Sequence, residues 1–165
     1  MFNQVDLKEA VRRSIQTEKN AMDFYVRGAA AMKNAAARQV FELLAREERE
    51  HAHWFYNVYP GDDIPDLESF LNAGPAVDSD WLRDLEQVNL AGFDERKAME
   101  LAMEKERRLA EHLRAVAARI DNPEVKAVFE QNARSTDNHY QLIESEYARL
   151  MGMVHETDID TYVRE

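Results

Sequence analysis

Leu43-Leu44-Ala45-Arg46-Glu47-Glu48-Arg49-Glu50-His51-Ala52-His53-Trp54-Phe55 is the stretch whose reading decides the fold of this chain. Phe41, Leu44, Phe55 and Val58 recur at helical spacing, and Glu48 and His51 fall on that apolar stripe rather than opposite it. A carboxylate and an imidazole are therefore aimed at a core. An unpaired buried charge is costly, so the pair demands partners or a metal.

Upstream, Leu7, Val11, Ile15, Met22, Tyr25, Ala29 and Met32 form one apolar face and predict a first helix over residues 5–32. Lys33-Asn34 breaks it, and a second helix runs from Ala35 to Tyr59, where Pro60-Gly61-Asp62-Asp63 stops it. So short a connection makes the two helices an antiparallel hairpin, 5–59. Residues 60–93 hold three of the four prolines and read as a long crossover with short helical turns near Pro65 and Asp80. Trp81, Leu82, Leu85 and Phe93 need burial, which argues against a loose domain linker. A third helix, with Met99, Ala102, Met103, Leu109, Leu113, Val116 and Ile120 on one face, spans about 94–120. Asn122-Pro123 is a helix start, and Val125, Phe129, Ile143, Tyr147 and Leu150 carry the fourth helix to an expected end near Gly152. The expectation is one all-α domain, an antiparallel four-helix bundle of hairpins 5–59 and 94–151 with a short tail, 152–165.

Composition narrows the chemistry. A formal net charge of -11 repels phosphate backbones and anionic membranes, so neither nucleic acid nor a membrane is an expected partner. The absence of cysteine excludes disulfides, thiolate zinc sites, iron–sulfur clusters and a thiol nucleophile. No apolar window is long enough to span a membrane, and the first residues have no signal-peptide character, so a cytoplasmic location is expected.

Shifting the chain by 88 residues matches ten of the 34 positions from 18 to 51, well above what this Ala- and Glu-rich composition produces by chance. Glu18 falls on Glu106, Asn34 on Asn122, Val40-Phe41-Glu42 on Val128-Phe129-Glu130, and His51 on His139. The bundle is a doubled hairpin. In each helix a polar residue interrupts the apolar stripe near the middle: Glu18, then Glu48 and His51, then Glu106, then Thr136 and His139. Three carboxylates and two imidazoles would meet at one level. No Lys or Arg on those stripes neutralises them, so a metal is the economical explanation. Carboxylate and imidazole without thiolate suit iron, manganese or zinc, and calcium would want more oxygens.

These residues resemble a known family. Glu47-Glu48-Arg49-Glu50-His51-Ala52, Glu18-Lys19-Asn20-Ala21-Met22-Asp23-Phe24-Tyr25 and Ala98-Met99-Glu100-Leu101-Ala102-Met103-Glu104-Lys105-Glu106 are similar to segments of the rubrerythrin branch of the ferritin-like superfamily. The resemblance implies a ferritin-like four-helix bundle with a di-iron carboxylate site that acts on peroxide, dioxygen or ferrous iron. It makes Glu18 and Glu106 terminal carboxylates, His51 and His139 imidazole ligands, and Glu48 a bridging carboxylate.

Two departures stand out. The family's second bridging glutamate is Thr136 here, and Asp137 lies about 100° off the stripe, so it is a poor substitute. The cysteine-ligated iron domain of full rubrerythrins has no counterpart, so an enzyme would draw electrons from an external donor. Alternatives are a non-catalytic iron-handling protein or a structural bundle with a degenerate site. Tyr25 reads equally as a ligand's hydrogen-bond partner or a core tyrosine. His53, His112 and His155 read as surface residues, Glu100, Glu104 and Glu111 as a solvated row paired with Lys97, Arg107 or Arg108, and Trp54 and Trp81 as seals. Apolar residues of the crossover lead to the expectation of a homodimer.

Overall fold

A computed structural model describes the backbone of residues 1–89 and 92–163 and the side chains of 1–89 and 92–152. The described residues form α1 (Gln4–Ala31), α2 (Ala35–Asn57), α3 (Leu67–Asn72), α4 (Asp80–Asn89), α5 (Glu95–Ala117) and α6 (Pro123–Val163), with no strand. α1 packs along α2, and α5 along α6. The hairpins meet where α2 touches α6, and the crossover helix α4 packs against both α1 and α5.

Helix starts follow local capping chemistry. Asn3 and Asp6 form a reciprocal capping box on α1, the Asn3 side chain accepting from the Asp6 N–H at 2.8 Å. The repeat-related Asn34 and Asn122 cap α2 and α6, accepting from Ala37 N–H at 3.0 Å and from Glu124 N–H at 3.0 Å. Glu95 reaches from the start of α5 to accept from Lys33 N–H at 2.8 Å, which ties the second hairpin to the turn of the first.

Phe24, Tyr25, Phe41, Phe55, Phe129, Ile15 and Leu113 are fully buried. The crossover contributes to this core as expected: Trp81, Leu82 and Leu85 are buried, and Trp81 meets Phe24 edge to face at 5.4 Å. Buried Lys19 turns its ammonium away from the bundle centre, to Asp23 at 2.7 Å and the carbonyl of Ala73 at 3.1 Å.

Two expectations need correction. α6 does not end near Gly152 but continues to Val163, so the expected tail 152–165 is helical over its described part. A lone glycine costs a helix only about 1 kcal/mol relative to alanine, too little to stop it without a competing turn. Glu100 does not join an ion-pair row either. It accepts from the Tyr147 hydroxyl at 2.8 Å, while Arg107 and Arg108 bind Glu104, and Arg107 also binds Glu111.

Gly28 sets the spacing of α1 and α2, because a Cβ there would lie 2.8 Å from the Phe41 ring. Gly28→Val should lower stability by about 1–3 kcal/mol, the range for overpacking a core. An unchanged urea midpoint would show that the ring moves aside freely.

Candidate metal centre

The apolar stripes of the four long helices converge, and each carries its polar residue to the same buried level. Glu18 arrives from α1, Glu48 and His51 from α2, Glu106 from α5, and Thr136 and His139 from α6. All six are at most 2% exposed. Of the other histidines, His53 faces outward to Glu68 at 2.6 Å and His112 is exposed, while the side chain of His155 lies outside the described residues.

Glu48 stands between two halves of the cluster. Its Oε2 is 3.5 Å from His51 Nδ1, which is also 3.5 Å from Glu18 Oε2. Its Oε1 is 3.0 Å from His139 Nδ1, which lies 3.7 Å from Glu106 Oε1. The two imidazoles are parallel, with centroids 5.0 Å apart. Donor atoms of Glu48, His51 and His139 all lie within 4.8 Å of one another, close enough to share an ion.

The chamber has donors to spare. Both oxygens of Glu18, Oε2 of Glu48, Oε2 of Glu106 and Nδ1 of His51 are buried without a hydrogen-bond partner in the protein. Buried polar groups are normally paired, so several orphans converging on one point fit a cation better than an apolar core. The absence of thiolate and the carboxylate–imidazole set suit iron, manganese or zinc.

Thr136 does not take part as a donor. Its hydroxyl donates back to the Asn132 carbonyl at 2.8 Å, the bond a threonine makes within its own helix. Asp137 faces outward and binds Arg114, as its rotation off the stripe predicts. The asymmetry anticipated between the hairpins is therefore present in space.

Charge in the chamber is coupled. Burial and the neighbouring Glu48 push Glu18 well above the usual carboxylate range, and the same two causes raise Glu106 to about 7. Burial opposes ionisation of Glu48 too, but the adjacent Glu18, His139 and His51 outweigh it and hold its pKa well below normal. Burial opposes charge on the imidazoles, yet Glu18 and Glu48 carry His51 up to about 10, and Glu106 and Glu48 carry His139 to about 11.

These directions define a pH dependence. The raised groups stabilise the fold below their ordinary values, 4.5 for Glu106 and 6.5 for the imidazoles, and that contribution is lost as pH climbs through about 7 and then about 10 and 11. Glu48 works oppositely, losing its contribution only as pH falls through its depressed value. The chelator-treated protein should therefore lose stability as pH rises between about 5 and 8. Metal uptake should release protons and tighten about tenfold per pH unit for each proton displaced over that interval. Pulse proteolysis and metal titration across pH check both, and flat profiles would refute them.

Four further residues lie against the cluster. Tyr25 is a fully buried core tyrosine that also donates its hydroxyl to the candidate ligand Glu106, at 2.6 Å from Oε1. Trp54, half-buried, stacks on His51 at 4.9 Å and so seals the cluster itself. Ser135 Oγ is 2.7 Å from His51 Nε2, and Glu47 Oε1 is 3.4 Å from His139 Nε2. Glu47 and Ser135 sit one residue off the stripe, and only the repeat, which places them on equivalent positions, could have drawn attention to them.

No helix among the described residues is long and apolar enough to cross a membrane. No curated protein and no solved structure matches the chain. The family model for rubrerythrin matches residues 9–147, which takes in α2 and α5 whole, most of α1, the first part of α6 and every residue of the Glu/His cluster. With that match added to an all-α ferritin-like bundle and a buried group of glutamates and histidines able to hold a metal, the chain belongs to the rubrerythrin family.

Proposed function

We propose that Glu18, Glu48, His51, Glu106 and His139 would hold iron, and that the protein is an oxidoreductase acting on peroxide, dioxygen or ferrous iron at an incomplete dinuclear carboxylate/His centre. The observation that carries this reading is the division of Glu48, whose two oxygens face different histidines at 3.0 and 3.5 Å. Bound iron would supply one-electron redox chemistry at neutral pH; manganese or zinc would fit the same donors, and zinc would supply none.

The chain's own residues set the remaining conditions. The chamber is closed, so its reactant must be small. Tyr25 holds a proton at its hydroxyl, because burial and the adjacent Glu106 raise its pKa well above 10.0, and it fixes Glu106 by donating to Oε1. With peroxide or dioxygen as the substrate, the proposal includes an external electron donor.

The second reading, metal binding without turnover, is favoured by one observation: the buried Thr136 offers no carboxylate where the repeat places a partner for Glu48. A homodimer in the cytoplasm completes the proposal. Trp81, Leu82 and Leu85 are buried within the chain, so a dimer face would have to use exposed residues such as Val5, Val26 and Val77.

Metal analysis of protein purified without chelator, followed by stopped-flow mixing of the ferrous form with peroxide and a reductant, tests the proposal. Repeated turnover supports the enzyme, a single turnover supports metal handling, and absence of bound metal overturns both.

A further inference from the structure

We propose that Glu47 and Ser135 are paired positioning residues. Each stands at the outward ring nitrogen of the histidine on the facing helix and so aims its Nδ1 into the chamber, and their chemical difference makes the two metal positions inequivalent. The inference rests on the metal-binding reading above.

A histidine that binds a metal through Nδ1 must carry its remaining proton on Nε2. An acceptor placed at Nε2 holds that tautomer and the plane of the ring. Ser135 Oγ occupies this position for His51, at 2.7 Å from Nε2, while Nδ1 of the same ring faces Glu18 and Glu48 without a partner. Glu47 Oε1 stands at the corresponding place for His139, 3.4 Å from Nε2. That nitrogen makes no hydrogen bond in this orientation, but the Glu47 side chain is 38% exposed and has no other ion pair among the described residues, so it is free to turn toward the ring.

The arrangement is reciprocal. Residue 47 on α2 serves the histidine of α6, and residue 135 on α6 serves the histidine of α2. The two positions are 88 residues apart, the same shift that superposes His51 on His139 and Glu48 on Thr136. A pseudo-twofold relation therefore extends one residue beyond the candidate ligands, and it is broken in the same place. The half that pairs His51 has a neutral hydroxyl behind its ring, whereas the half that pairs His139 has a carboxylate.

A carboxylate behind an imidazole makes the ring a stronger donor than a hydroxyl does. The centre lacks a carboxylate at Thr136, and Glu47 supplies negative charge at the outer edge of His139 instead. Loss of charge inside the chamber is partly answered by charge just outside it, on a side chain that water can reach.

Zinc titration against a competing chelator, with ring ¹⁵N spectra of the zinc-loaded protein, tests this on wild type, Glu47→Gln, Glu47→Ser and Ser135→Ala. Glu47→Gln should weaken zinc at the His139 position by about tenfold to a hundredfold and move the His139 Nε2 resonance while leaving that of His51 in place. Ser135→Ala should do the converse with a smaller loss, and Glu47→Ser, which makes the halves alike, should bring the two affinities together. A purely structural role would leave the ring resonances unmoved. If wild type binds zinc and Glu47→Gln matches it in affinity and in spectrum, this inference alone is overturned. If wild type binds no zinc, the metal reading and this inference both fail.

Discussion

Replacing Glu48 with glutamine should empty both metal positions at once, bringing bound metal down to background in protein purified without chelator. Its two carboxylate oxygens are divided between the halves of the centre, Oε1 at 3.0 Å from His139 Nδ1 and Oε2 at 3.5 Å from His51 Nδ1. Glutamine keeps the volume but removes the charge and one of the two oxygens. Glu18→Gln or Glu106→Gln should instead weaken only the half each side chain faces, so the Glu48 variant stands apart from its neighbours. The metal-free protein should suffer too. Glu48 is the carboxylate shared by both raised imidazoles, and removing one partner of a buried ion pair costs about 3–5 kcal/mol. Metal content by mass spectrometry, with circular dichroism to confirm retained helix, gives the answer. Full stoichiometry in a folded Glu48→Gln protein would place the metal elsewhere.

Thr136→Glu should change stability in opposite directions with and without metal. In the metal-free protein it buries a fourth carboxylate beside Glu18, Glu48 and Glu106, a group in which burial already pushes Glu18 and Glu106 toward the protonated form. The native hydroxyl, satisfied by the Asn132 carbonyl, imposes no such repulsion. With divalent metal present the added carboxylate would supply a further oxygen donor at the position that the internal repeat pairs with Glu48, and the variant should bind metal at least about tenfold more tightly, an effect of the size one well-placed charged donor produces. Thermal melts in excess chelator and in excess metal would show the crossing. A variant that is destabilised equally in both conditions would mean that position 136 does not face the ions.

Much of this was legible beforehand, for local reasons. Asn122 caps α6 as expected, because it is a short polar residue directly before an apolar-periodic run. The crossover was recognisable as packed structure because Trp81, Leu82 and Leu85 have too much apolar surface to leave in water. The far end of α6 was misread because Gly152 is a weak signal by itself, and only a competing turn would have made it a stop. Within the site, residues on the apolar stripes could be found by periodicity. Tyr25 could not be assigned, because its hydroxyl acquires a role only from Glu106, 81 positions away in the chain.

By itself the sequence determined the helices, their doubling, and the presence of Glu18, Glu48, His51, Glu106 and His139 on faces that must be buried. Those properties depend on period, composition and capping, which act over a few residues. The tertiary structure alone decided how these groups share one chamber: that Glu48 lies between the halves, that Lys19 turns away to Asp23, and that Glu47 and Ser135 stand behind opposite histidines. Those facts depend on the angle at which α2 meets α6, and a single helix's pattern carries no record of that angle because it is set by side chains interdigitating across both.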